Sequence, residues 1–299
     1  MKESDFQSNI VLASRPSTGG PDLITVHCRY PRMIHSEVMT HRVFSRNARS
    51  SRAVPTKKLI AEDIYVPHFL KNKPGMQATE EFSPTVLENI QNAWIDFARK
   101  TQEFQSWLAE MEVHKQWSNR PGEWFGFIDT LITSTEWSNW FALRDHQAAA
   151  PEICNLAQVM DAEFTMALAC KEVQILEPGQ WHIPYVTKEE MFELMHDNKI
   201  NTDYTKKTRN VIIPEMSLKL SVARCARISY EPFDGNGSIE KELQRHDMLR
   251  NANPIHASPF EHQAQVATVD VVDAQLVFDN YIQSNLAYPW LQYRKVIGE

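Results

Sequence analysis

Val86, Ile90, Trp94 and Phe97 recur at the three- and four-residue spacing of an α-helix, and Phe104, Trp107, Leu108 and Met111 continue the stripe. The pattern predicts a long helix over Glu80 to Met111, with the stripe packed into a core. A helix of that length needs an apolar surface to lie on, which sets the architecture for the rest of the chain. Ile153, Leu156, Met160, Phe164 and Leu168 predict a second long helix over Pro151 to Val173. Trp137, Trp140 and Phe141 predict another over Thr130 to Leu143.

Strand signals are fewer. Leu23 to Tyr30, LITVHCRY, alternates as a strand and is ended by Pro31. Ala264 to Val272 is also strand-like, and Pro178 to Tyr185 is a loop or short extended piece. Arg32 to Thr40, with Ile34 and Val38 four apart, suits a helix. Shorter helices are expected over Lys188 to His196, Ser217 to Ser229 and Ser238 to about Asn251. Lys71 to Gln77 and Asp234 to Gly237 read as turns, and Asn201 to Asn210 as a flexible connection. Residues 1–20 are polar, end in a Ser-Thr-Gly-Gly-Pro run, and read as a loose arm.

Thr40 to Pro55, THRVFSRNARSSRAVP, is the chemical anomaly. From His41 to Lys58 there are six Lys/Arg, one His and no acid, in a chain whose net charge is −7. Broad nucleic-acid or membrane-surface binding needs extended positive potential, and this charge speaks against it. A local basic island points instead to a small anionic ligand. If Arg42, Arg46 and Arg49 continue a helix, they share one face and repel by a few tenths of a kcal/mol per pair. A phosphate would relieve that, because guanidinium groups grip its oxygens two at a time. Ser45, Ser50 and Ser51 add hydroxyl donors. A solvated basic face paired with acids elsewhere is the competing reading.

Other chemistries find little support. Cys28, Cys154, Cys170 and Cys225 form no CxxC pair, so they read as reduced, structural thiols of a cytoplasmic protein. The first residues lack an apolar signal core, and no run reaches the roughly 18 apolar residues of a membrane span. His35, Glu37 and His41 lack a further ligand at sensible spacing, so no metal is expected. Neither GxGxxG after a strand nor GxxxxGK[ST] occurs, which speaks against Rossmann and P-loop nucleotide sites.

His41-Arg42, seven residues, Ser50 and then Arg52 resemble the signature of the flavin-dependent thymidylate synthases, which reads Arg-His-Arg, seven residues, Ser, then Arg. Thr40 stands where the family has its first Arg. Asn139 to Ile153, NWFALRDHQAAAPEI, resembles a second family segment, with Arg144 matching the Arg that faces the pyrimidine ring. Ala148 stands where the family often has a His. Lys115 to Phe125, KQWSNRPGEWF, resembles the phosphate-side loop, with Arg120 as its nucleotide-binding Arg. CARISY (225–230) and IHASPFEH (255–262) resemble two segments that precede the basic island in the family but follow it here. The order implies a circular permutation with the break just before Leu23. Permutation is tolerated where chain ends meet at the surface.

The resemblance implies an α+β fold, with a central, mostly antiparallel sheet and long helices. It implies one catalytic domain over 21–299, with added segments near 56–110, 160–216 and 271–299, in a homotetramer with sites at subunit contacts. The implied reaction moves a one-carbon unit from methylene-tetrahydrofolate to C5 of dUMP, giving dTMP, with FAD as cofactor and NADPH as reductant. Arg144 would polarise the pyrimidine. Arg49, Ser50, Ser51, Arg52 and Arg120 would hold the nucleotide. His41, Arg42, Val43, Thr133, Thr135, Asn139, Ser229, His256, Ser258 and Glu261 would lie on the flavin. Two alternatives stay open: a hydroxymethylase acting on dUMP or dCMP, and a non-catalytic nucleotide- or RNA-binding homologue.

Overall fold

The computed structural model describes residues 5–75, 77–170, 173–187, 189–191, 206–228, 237–268 and 284–298. Its centre is a five-stranded sheet of β1 (Gln7–Pro16), β2 (Leu23–Pro31), β3 (Ser45–Ala48), β4 (Phe127–Ser134) and β5 (Val173–Leu176), in the order β3-β4-β2-β1-β5. The β1–β2, β2–β4 and β3–β4 pairs are antiparallel, and only β1–β5 is parallel. A second, antiparallel sheet joins β6 (Trp181–His182), β7 (Ala264–Val266) and β8 (Trp290–Gln292) in sequence order. The longer helices are α1 (Pro84–Glu110), α2 (Ser138–Arg144), α3 (Pro151–Cys170), α4 (Lys206–Ala226) and α5 (Ile239–Arg250). This is the α+β arrangement, mostly antiparallel with long helices, that the resemblance implies.

The core forms where α2 and α3 cover the large sheet. Ile153, Leu156, Met160 and Phe164 of α3 are buried, as their spacing predicts, with Val26, Cys28 and Ile132 of the sheet. Trp137 meets Phe164 edge-on at 4.9 Å between ring centres. α1 behaves differently. Ala98 and Gln105 are buried, and the Trp94 indole donates to the Tyr65 carbonyl at 2.8 Å. Phe97, Phe104, Trp107 and Met111, expected in the core, are exposed instead. Helical spacing identifies an apolar stripe but not what covers it.

Three further expectations are corrected. Residues 7–16 are not a loose arm: β1 lies between β2 and β5, with Ala13 and Ser14 buried. The Gly19-Gly20 pair, at φ +86° and +124°, makes the connection into β2, and a Cβ on Gly20 would meet Pro289 Cδ at 2.7 Å. Thr130 to Ser134 is strand rather than helix. β4 is buried on both faces, so its apolar residues do not alternate, while β-branched Ile128, Thr130, Ile132 and Thr133 favour the extended form. The basic island is not helical either. A single α-turn, His35–Val38, is followed by a turn and then β3, at the sheet edge. Within the segment 284–298, β8 pairs with β7 and Trp290 is fully buried.

Smaller differences are of extent. The expected strand over Ala264 to Val272 ends at Val266, and 269–272 lie outside the described residues. Lys206 to Asn210, read as flexible, begin α4, while 201–205 lie outside the described residues, as do 192–196 and Ser229 with Tyr230. Among the described residues no helix is long and apolar enough to cross a membrane, and no group of three His, Cys, Asp or Glu could hold a metal ion.

Candidate active site

His41 follows the single helical turn and is 5% exposed. Its ring packs edge-on against Trp140 at 4.8 Å and stacks on Phe44 at 5.6 Å. Trp140 belongs to α2, so this packing also fixes the end of α2, where Arg144 sits. Arg144 Nε donates to His41 Nε2 at 2.9 Å, and Nη2 donates to Thr40 Oγ1 at 3.1 Å. Nη1 lies 3.9 Å from Glu37 Oε2. His41 therefore accepts through Nε2 and is neutral. Burial, then Arg144 and Arg46, push its pKa down, which agrees. The Thr40 departure has a physical reading here: an Arg would place a second cation beside Arg144, whereas Thr offers an acceptor.

The island also gathers the C-terminal segments. Arg46 Nη1 donates to the carbonyls of Met39 (2.6 Å) and His41 (3.1 Å), pinning the turn. Asn47 Nδ2 donates to the Cys225 carbonyl at 2.6 Å, while its Oδ1 accepts from Ser258 Oγ at 3.4 Å. Gln292 Nε2 bridges Ser45 Oγ (3.0 Å) and the Glu261 carbonyl (3.1 Å), and the Glu261 carboxylate pairs with Arg294. Arg42, Val43, Asn139, His256 and Ser258 are exposed. Arg42 makes no ion pair among the described residues.

Two expected flavin contacts are engaged internally. Thr133 is fully buried, and its hydroxyl bonds Thr25 Oγ1 at 2.7 Å and His262 Nδ1 at 2.8 Å. Thr135 Oγ1 accepts from the Ala287 amide at 3.0 Å. Ser229 lies outside the described residues.

Beyond β3, Asn119 organises the turn after the island. Its Nδ2 donates to the carbonyls of Ser51 (2.8 Å) and Val54 (2.9 Å). The Ser51 hydroxyl donates to Glu123, which also pairs with Arg32 (3.2 Å) and Arg120 (3.6 Å). Ser50 and Arg52 are exposed, and Arg52 makes no ion pair among the described residues. Arg49 is not presented to solvent. It is 6% exposed, pairs with Glu62, and lies 3.6 Å from Asp129 Oδ2.

The structure thus brings His41 to Arg144, Asn47 to Ser258, and Ser51 to the segment carrying Arg120. It leaves Arg49 and Thr133 inside. Sequence reasoning missed Glu37, Asn47, Asn119, Glu123, Arg32 and Trp140. Asn119 and Glu123 sit within the quoted Lys115–Phe125 segment, and their polarity beside Arg120 was the available signal. Arg32 carried none, because its partner is 91 positions away.

No family model matches the chain, and no curated protein matches it. Among solved structures, the chain is similar to a UMP/dUMP methylase, PolB from Streptomyces cacaoi, in a crystal structure bound with 5-Br UMP. The identity is 15%, the match covers 57% of this chain and 96% of that one, and the TM-score is 0.44.

Proposed function

We propose that this chain is a flavin-dependent transferase that moves a one-carbon unit from methylene-tetrahydrofolate to C5 of dUMP, giving dTMP. The supporting observation is a convergence. Segments that the resemblance assigns to one site, far apart in sequence, meet on residues 40–54: Arg144 on His41 and Thr40, Cys225 and Ser258 on Asn47, and Asn119 and Glu123 on Ser51. The contacts of Cys225 and Ser258 with the island are what a permuted order of the same segments requires.

The donor set fits two anionic groups, the nucleotide phosphate and the FAD pyrophosphate. Arg42 and Arg52 are exposed without ion pairs among the described residues, and Arg120 is more than half exposed. FAD, when bound, supplies reducing equivalents that originate in NADPH. Arg144 has a different task. Attack through C5 pushes negative charge toward N3 and the flanking oxygens of the pyrimidine. A cation already fixed by His41, Thr40 and Glu37 stabilises that charge without reorganising. Such groups act best when their orientation is set before the reaction, and this one is held from three sides.

The thiols support a route without a protein nucleophile. Burial raises the Cys28 pKa to about 12 and pushes Cys225 up as well, and Cys154 is also raised, first by burial. Only the thiolate attacks, so none of these three is an activated nucleophile. Active sites at the contacts of a homotetramer belong to the same reading.

Flavin binding tests the cofactor part. Titrating FAD with the protein should quench its fluorescence at stoichiometric amounts, and Arg42→Ala should weaken binding by about tenfold, the loss of one charge-assisted contact. FAD fluorescence that ignores the protein would remove flavin from this account.

A further inference from the structure

Three donors from three separate segments surround one carboxylate. Glu123 accepts from Ser51 Oγ and meets Arg32 Nη2 through Oε1 (3.2 Å), while its Oε2 faces Arg120 Nη1 (3.6 Å). Two guanidinium groups and a hydroxyl around one acidic group is the donor set of a phosphate site. We propose that Arg32, Ser51 and Arg120 form the subsite for the nucleotide 5′-phosphate, and that the Glu123 carboxylate is its built-in competitor, displaced when the phosphate enters. Arg32 thereby becomes a substrate-binding residue. The identity of the occupant rests on the proposed function; the anion subsite does not.

Charge favours the exchange. Arg32 and Arg120 carry two positive charges and Glu123 returns one negative charge, so the cluster keeps an excess of one. A phosphate monoester carries about −1.5 to −2 at neutral pH and balances the pair more fully. The neighbouring charges do not alter this balance much. Glu62 lines the same cleft but is paired with Arg49, and Asp63 lies exposed.

Space and mobility agree. Arg32, Ser51, Asn119 and Glu123 line one cleft, with a cavity volume of about 40 Å³ before Glu123 moves, while Arg120 stands outside that lining and joins it through Glu123. Asn119 is 1% exposed, and its Oδ1 has no hydrogen-bond partner among the described residues. That acceptor suits a sugar hydroxyl beside the phosphate. The backbone next to Glu123 is held firmly. A Cβ on Gly122 would fall 2.1 Å from Gln105 Oε1, and Gln105 Nε2 donates to the Asn119 carbonyl at 3.1 Å. Release therefore needs only rotation of the Glu123 side chain, not movement of the loop.

Calorimetry on the full chain with orthophosphate, dUMP and deoxyuridine tests the proposal. Glu123→Gln keeps the shape and removes the competing charge. It should tighten orthophosphate and dUMP binding by about tenfold and leave deoxyuridine unchanged. Arg32→Ala should weaken the first two by about tenfold, and in the Glu123→Gln background it should cancel the gain. Unchanged or weaker phosphate binding in a folded Glu123→Gln protein would overturn the subsite. If that variant does not fold, Arg32→Ala decides alone: unaltered phosphate affinity overturns the proposal. Tighter orthophosphate binding with no response to dUMP would keep the subsite and remove dUMP as its occupant.

Discussion

Arg144→Ala should lower kcat/KM for the nucleotide by at least on the order of a thousandfold, while the protein stays folded and still binds flavin. The loss is in the chemical step because the side chain is placed for it. Arg144 ends α2, outside the packed core, with its Nε on His41 and Nη2 on Thr40. Truncation leaves the buried His41 Nε2 without its donor, a stability cost of about 1–3 kcal/mol. That is small beside the rate effect. Arg144→Lys separates charge from geometry. An ammonium cannot span His41 and Thr40 as the planar fork does, so turnover should remain strongly impaired. Normal turnover in Arg144→Ala would sink the assignment of this side chain to the pyrimidine.

The protein should lose stability steeply as the pH falls below about 6.5. The cause is a buried polar chain. His182 Nδ1 meets Ser14 Oγ at 2.8 Å, and its Nε2 meets Thr25 Oγ1 at 2.8 Å. Thr25 bonds Thr133, which bonds His262 Nδ1. Both rings are fully buried, and burial lowers each pKa to about 3. His35, also desolvated, is lowered to about 4. Between these values and the ordinary 6.5, the unfolded chain takes up protons that the native chain refuses. The stability from these groups is therefore complete above about 6.5 and is lost progressively as the pH falls toward 3. At pH 5 each of the two buried rings would cost roughly 2 kcal/mol relative to neutral pH. Urea midpoints measured from pH 7.5 to pH 5 would show the decline, and His182→Gln should flatten its slope. A level profile over that range would contradict the neutral, buried state of both rings.

The same chain shows why the sequence was only partly readable. Ser14, Thr25, Thr133, His182 and His262 come from five segments, and no local spacing announces that they meet. α3 was legible because one face is filled at the helical period, and β2 because Val26, Cys28 and Tyr30 are buried in alternation with the half-buried His27 and Arg29. β4 was not, since burial on both faces erases alternation. The island looked helical because Arg42, Arg46 and Arg49 share helical spacing. In the structure Arg46 ties down a turn and Arg49 pairs with Glu62, so each has its own local task. The Arg144–His41 contact, across 103 positions, was foreseen only as two segments of one expected site. Its geometry, and the acceptor role of Thr40, came from the packing of Trp140 against His41.

Product mass tests the central claim most directly. The protein would be incubated with FAD, NADPH and methylene-tetrahydrofolate, with dUMP and dCMP offered in separate reactions. The account predicts a methyl gain on dUMP and none on dCMP. A hydroxymethyl gain on either nucleotide would contradict the methyl assignment and make the chain a producer of modified DNA precursors. No product from either nucleotide would contradict the transferase itself.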